Sequence, residues 1–379
     1  MILFEQGPTG EPALFAAPHR LIVADDPDAV PGALAAMAAA RAAGFWLAGY
    51  ASYELGYALE HRLADLMPPG RRAPLLAFGV HDAPVGAAGM LERAEALADQ
   101  VALSAPVAGW SAAEYQAAFD RVAAYIAAGD CYQVNLTMPM AMWMSGPPLG
   151  LFGALRRVQP VRHGVFADLG VGPVVLSRSP ELFFRLQADG RIETRPMKGT
   201  ARRDSDSGQD SALRAGLLAS PKDRAENLMI VDLLRNDISR LCETGSVRVP
   251  ALFQIETYAT VHQMVSRVEG QLRRGVTLEQ VFRAMFPCGS VTGAPKLRAM
   301  EIIRALEPAP RGVYCGGIGW MAPDGSAEFN VAIRTLSLFA DGEVVMNVGG
   351  GVVHDSTASA EYEEAWWKAR FAVLEPGHD

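Results

Sequence analysis

The chain reads as an α+β protein on three observations. Short β-rich runs fall in clusters, long helical patterns with N-terminal capping signals separate them, and half the residues are hydrophobic against a fifth charged. A regularly alternating α/β chain would interleave strand and helix throughout, and this one does not. At 379 residues it can bury a large core, with room for two or three domains. The net charge of -8 disfavours nucleic acid or an anionic membrane as the main partner, since both reward basic patches.

Residues 1–108 are Ala-rich, with strand runs at Leu21-Ile22-Val23, Trp46 to Tyr50 and Leu75 to Phe78, and a helix over 33–43. Ala105-Pro106-Val107-Ala108-Gly109 reads as a linker, dividing an N-terminal region of 1–108, expected to pack on the core, from a main domain over 109–379. Ser111-Ala112-Ala113-Glu114 is a capping box; Tyr115, Phe119, Val122 and Ile126 follow at helical spacing until Gly129 closes the helix. The next run alternates. Tyr132, Val134, Leu136 and Met138 share one face, and Cys131, Gln133, Asn135 and Thr137 the other, a polar face that meets solvent or lines a pocket. Residues 131–155 carry no charge, but Pro139, Gly146, Pro147, Pro148 and Gly150 break the run, so no membrane span is expected. The four cysteines form no CxxC pair and read as reduced thiols of a cytosolic protein. Met1 to Glu5 lacks the start of a signal peptide.

Farther on, Glu181 to Leu186 and Ile192 to Met197 flank Asp189-Gly190, a preferred pair for a two-residue hairpin turn. That turn predicts Glu181 opposite Lys198, with Cβ atoms roughly 5 Å apart, unless a bulge slips the register by one. Lys198 stands between a Pro-ended strand and a Gly-Thr turn, which aims its amine and leaves backbone amides open to an anion. Two readings stand. One is a cross-strand ion pair; the other is a general acid beside an amine nucleophile. The second needs a neutral lysine, yet at an ordinary pKa of about 10.4 only about one in two thousand is neutral at pH 7. Desolvation and nearby cations such as Arg195 or Arg202 would lower it, and the two groups would titrate as a unit.

Ser220-Pro221-Lys222-Asp223 opens a helix through Asp237, and a last helix runs from about Ala360 to Leu374 and stops at Pro376-Gly377. Each carries an acidic pair at i, i+3: Asp223 with Glu226, and Glu361 with Glu364. Either pair alone is ordinary opposition to a helix dipole, whereas two converging pairs make a hard-oxygen site for Mg2+. The seven histidines are scattered singles and offer no zinc alternative. Strand runs at Val331 to Leu338 and Glu343 to Val348 precede Gly349-Gly350-Gly351, which reads as an anion-binding nest or a tight bend. Arg334, inside the first of these runs, calls for a bidentate carboxylate partner or sits on an edge strand. Neither GxxxxGK[ST] nor GxGxxG occurs, so nucleotide binding has no support.

Taken together, these segments resemble the chorismate-utilising enzymes. The resemblance runs in order through Gly129 to Asn135, Ser179 to Leu182, Pro196 to Thr200, Lys222 to Asp237, Gly289 to Lys296, Tyr314 to Trp320, Asn330 to Thr335 and Gly349 to Glu364. A weaker match lies at Gly49 to Gly56. The resemblance implies a four-layer α/β/β/α core with two orthogonally packed sheets, and a chorismate-binding catalytic domain over 109–379. It implies Mg2+ held by Glu226 and Glu364, with Asp223 and Glu361 close by. Arg334, Tyr314 and the 349–351 amides would grip the pyruvyl carboxylate, and Gly199-Thr200 would touch substrate. Glu181 matches the acid that protonates the leaving C4 hydroxyl, and His262 matches an active-site histidine of the family.

Within that family, isochorismate and salicylate synthases resemble one another in a lysine base where this chain has Gln133. Anthranilate synthases carry a small residue where this chain has Lys198. Gln133 with Lys198 is the aminodeoxychorismate synthase combination, which implies amination of chorismate at C4 by way of a lysine adduct. Met197, where the family more often has Ile, nearly conserves volume. No Leu-Leu-Glu-Ser tryptophan-sensing motif is found, and a separate glutamine amidotransferase subunit is the expected ammonia source. Anthranilate synthesis with an aberrant lysine, a non-catalytic chorismate-binding subunit and a Schiff-base enzyme are the rivals.

Overall fold

The computed structural model describes residues 1–258 and 261–374. Among them, two wholly antiparallel sheets of eleven and ten strands pack face to face. Ile2, Phe4, Phe15, Val165 and Val175 from the larger sheet meet Ala48, Tyr50, Ala77, Ile318 and Trp320 from the smaller in one apolar cluster. Helices cover the outer faces. Ala112–Ala127, Lys296–Leu306 and Ala358–Ala369 lie against strands of the larger sheet; Val30–Ala42, Ser207–Ala219 and Pro221–Ser239 lie against the smaller. The class is α+β, as expected, in the layer order helix, sheet, sheet, helix.

Period-2 patterning explains how one strand serves two apolar neighbours. In Trp46–Ala51, Ala48 and Tyr50 face the other sheet, while Leu47 and Ala51 face Val30, Leu34 and Met37 of the covering helix. Strands buried on both faces therefore read as nearly continuous apolar runs. Two of the helices start where capping chemistry says they should. Ser111 and Glu114 form the reciprocal capping box, and Ser220 accepts from the Asp223 amide with Pro221 in the first turn. The last helix is shorter than its pattern, Ala358–Ala369 followed by a single 3-10 turn. The Pro376-Gly377 stop lies outside the described residues.

Residues 1–108 contribute strands to both sheets, Ile2–Phe4 to the larger and Trp46–Ala51 to the smaller. Val107–Ala108, read from sequence as linker, pairs with Gln133–Ser145. The division at 108/109 thus marks no seam in the hydrogen-bonded layers. Of the segments that cross between the sheets, two bear on the site. Val174–Ser179 belongs to the larger and Leu182–Leu186 to the smaller, with Glu181 in the passage; Ala327–Val331 belongs to the smaller and Thr335–Leu338 to the larger, with Arg334 in the passage. Arg334 is therefore not inside a strand, and its φ of 49° lies in the left-handed region. The crossings are stitched together: Arg178 N–H donates to Arg334 O at 2.9 Å, and Val331 N–H to Glu181 O at 3.1 Å.

Candidate active site

Beside these crossings opens a cavity of about 550 Å³. Its wall includes Lys198, Glu181, Gly199, Thr200, Tyr314, Arg334, Gly349, Gly351 and all four helix carboxylates, Asp223, Glu226, Glu361 and Glu364. The expected site residues missing from that wall are Gln133, Gly350 and His262.

Lys198 reaches the cavity by a route the hairpin argument did not foresee. The ladder pairs Arg185 with Glu193 and Leu186 with Ile192, one residue off the predicted register. Gln187 N–H donates to Arg191 O, Gly190 N–H donates to Gln187 O, and Gly190 has a φ of 82°, so Ala188-Asp189-Gly190 form a three-residue turn. Glu181 and Lys198 are consequently not cross-strand partners. The Met197–Arg202 strand pairs instead with Val261–Gln271, where Met197 faces Val265 but Thr200 faces Gln263. The extra residue makes a bulge at Lys198-Gly199, and bulges re-aim side chains. Gly199 has a φ of 90°, and a Cβ there would stand 2.9 Å from the Asp223 side chain, so glycine is required twice over.

The glycine run is neither nest nor bend. Gly349, Gly350 and Gly351 lie within the strand Glu343–Val352, paired with Thr137, Leu136 and Asn135. The strand's other neighbour stops at Met346, so beyond it that edge has no ladder partner among the described residues. Gly350 turns toward the carboxylate helix; a Cβ there would lie 2.8 Å from Glu361 Oε2. Behind Gly351 sits Gln133, fully buried, with neither amide atom hydrogen-bonded among the described residues. His262 also lies off the wall, buried between Asp210 and Thr257, with Nε2 and Nδ1 each 3.0 Å from a partner oxygen. The residue of that strand that does face the cavity is its neighbour Gln263.

The family model described as chorismate binding enzyme matches residues 2–373. The chain belongs to that family. Aminodeoxychorismate synthase component 1 of Klebsiella aerogenes is 46% identical over 261 residues, 69% of this chain and 57% of that protein. Anthranilate synthase component 1 of Pseudomonas putida is 43% identical over 257 residues, 68% of this chain and 52% of that protein. The chain thus spans little more than half the length of these two relatives. A solved structure, anthranilate synthase component I from Streptococcus pneumoniae TIGR4, matches with a TM-score of 0.73 and 26% identity over 87% of this chain and 81% of that one.

The electrostatics of the cavity single out two groups. Burial pushes the Glu181 carboxyl up to about 7, against the opposing pull of Ser290, Lys198 and Arg334. Burial lowers the Lys198 amine, and the Lys368 ammonium lowers it further, against Glu226, Glu181 and Glu364. Sequence reasoning named Arg195 and Arg202 for that second effect and missed Lys368. Arg195 is engaged by Glu256, while Lys368 reaches Glu364 at 2.7 Å and Gly349 O at 2.8 Å. Its i+4 spacing from Glu364 was the available signal. Burial also lowers the Arg334 guanidinium against the Glu181 charge, and no side chain among the described residues pairs with it. No protein carboxylate in that set acts as the bidentate partner, which leaves the fork open to a ligand. Tyr314 is buried and its phenol held well above its ordinary range, so it stays a donor.

Burial raises both Glu226 and Glu361; Asp223 and Glu361 push the first higher, and Glu364 the second. Burial works to raise Glu364, but Lys368, together with Lys198 and Lys222, holds the group below its ordinary value. Among the described residues no three Asp, Glu, His or Cys side chains close into a metal cage. An all-oxygen set short of a full cage fits Mg2+, which takes one or two carboxylates and completes its shell with water and ligand oxygens.

Proposed function

We propose that the chain aminates chorismate at C4 with ammonia, giving 4-amino-4-deoxychorismate for 4-aminobenzoate and folate synthesis. One observation carries the reading: a lysine amine with lowered basicity and a carboxyl with raised pKa face one cavity. Groups so displaced are suited to attack and to proton donation at neutral pH. In the first step the Lys198 lone pair bonds to C2, both conjugated ring double bonds shift, and the C4–O bond breaks as Glu181 gives its proton to the leaving hydroxyl, which departs as water. In the second, ammonia bonds to C4, the two double bonds shift back, and the C2–N bond breaks, returning Lys198 as a neutral amine, while the new C4 ammonium gives a proton back to the Glu181 carboxylate. Two successive allylic displacements leave nitrogen at C4 with the original geometry.

Arg334 and Tyr314 would hold the pyruvyl carboxylate beside the open strand edge at 349–351, and Gly199-Thr200 would border the ring. Mg2+, held by Glu226 and Glu364 with Asp223 and Glu361 beside them, would neutralise and anchor the ring carboxylate. Chelation with EDTA is expected to weaken chorismate binding by at least about tenfold, the scale of one lost charge-assisted contact, with recovery on added Mg2+. Calorimetric titration of chorismate, with and without chelator, checks this. A separate glutamine amidotransferase subunit is proposed as the ammonia source, in keeping with the "component 1" in the name of the Klebsiella relative. The four cysteines are buried and free, which is in keeping with a reducing, cytosolic setting. No helix among the described residues is long and apolar enough to cross a membrane.

The likeness to anthranilate synthase component 1 favours one second reading, amination at C2. Chromatography of the products from chorismate, ammonium and Mg2+ separates the two. A C4-aminated product that becomes 4-aminobenzoate only when a lyase is added is expected. Anthranilate forming without any lyase would overturn the proposal.

A further inference from the structure

Behind the cavity lies a buried ionic cluster that the proposed chemistry does not use. Arg311, 4% exposed, donates from Nε and Nη2 to the two carboxylate oxygens of Glu307 at 2.8 and 2.7 Å. Its remaining bonds go to two backbone carbonyls, Val291 O at 2.9 Å and Asn135 O at 2.6 Å. Both of those residues line the cavity. Glu307 also accepts from the Thr137 amide and hydroxyl at 2.9 and 3.1 Å. On the other side Glu54, 2% exposed, accepts from the Arg311 and Gly312 amides at 2.7 and 3.1 Å. The guanidinium also lies 4.5 Å from the Tyr53 ring centroid.

A buried ion pair is a poor stabiliser compared with packed apolar side chains, so its presence here needs another explanation. Its geometry supplies one. A guanidinium fork is rigid and can fix several acceptors at once, which a lysine cannot. The acceptors sit on three separate pieces of chain: the Gln133–Ser145 strand, the Gly289–Val291 turn and the Glu307–Arg311 segment. Tyr314 follows three residues after Arg311, and Cys315, with a φ of 62°, then docks on Ala332 O beside Arg334.

We propose, resting on the reading of this cavity as the chorismate site, that Arg311 and Glu54 are positioning residues: together they clamp the wall carrying Asn135, Val291 and Tyr314, and make the N-terminal segment part of the binding site. The clamp acts on ligand placement and not on Lys198 or Glu181, which lie on other segments, Lys198 in the Met197–Arg202 strand and Glu181 in the passage before Leu182–Leu186. Arg311→Lys keeps the charge and loses the fork. It is expected to raise the chorismate Kd and KM by about tenfold or more, the scale of losing one or two charge-assisted bonds, while kcat changes by less than about threefold. A purely structural role would instead lower the fraction of active molecules, reducing binding stoichiometry and kcat with Kd and KM unchanged; that result overturns the proposal. Glu54→Gln leaves the Arg311–Glu307 pair intact but turns an amide donor against the Gly312 N–H. It is expected to raise Kd in the same way, and it decides the matter if Arg311→Lys does not fold. Unchanged affinity in Glu54→Gln also overturns the clamp. Product identity, assayed in parallel on the unaltered chain, tests the amination reading separately.

Discussion

Lys198→Ala is expected to abolish C4 amination, with kcat falling by at least about a thousandfold, because no other amine on the wall is aimed to take its place. Lys368 is tied to Glu364 and Gly349 O, and Lys222 lies near Glu226 at 3.9 Å. With the double displacement closed, whatever amination survives should be direct and appear at C2. Acid-quenched enzyme sampled during turnover should show the Lys198 peptide heavier by chorismate less one water, and Lys198→Ala should show none. Undiminished C4 product from Lys198→Ala would remove the covalent mechanism. So would a peptide that stays unmodified through rapid turnover of the unaltered chain.

Glu181→Gln is expected to cost about a hundredfold to ten-thousandfold in kcat, the usual worth of a placed general acid, with little change in chorismate KM. The pH profile carries the sharper signature. Glu181 must hold its proton to act, and with its carboxyl near 7 the rate should fall as pH rises through that value. Lys198 must be neutral, so the rate should fall again on the acid side, below its lowered pKa. The two groups face one cavity and feel one another, so the bell belongs to the pair and not to either residue. The substitution should act oppositely on stability and on activity. Between about 4.5 and 7 the folded chain keeps a proton that the unfolded chain has released, so the wild type loses stability as pH rises through that window. Glu181→Gln should therefore melt higher than wild type at pH 8. An equal or lower melting temperature would mean that Glu181 is not strained by burial.

The contrast between what could be foreseen and what could not follows from the range of the interactions. The caps at Ser111 and Ser220 are written within four residues and appear as expected. The two acidic pairs were legible because helix period alone places them on one face. Strand positions fared less well, since a strand's facing depends on a partner far away in sequence. A one-residue error in the 188–190 turn displaced the expected Glu181–Lys198 pairing, although both side chains still reach one cavity. The same sensitivity separates His262 from Gln263: adjacent residues of one strand, one held by Asp210 and the other on the cavity wall. The glycine run was misread because its conformation is dictated by the ladder to Gln133–Ser145, far earlier in the chain, and not by local composition.

The passages that carry Glu181 and Arg334 from one sheet to the other give the site an unusual dependence. Neither sheet owns it. A slide of one layer over the other would part acid, nucleophile and carboxylate grip while leaving every helix and ladder in place. Turnover in this chain is thus a gauge of alignment across its sandwich, more exacting than any spectroscopic count of helix and strand.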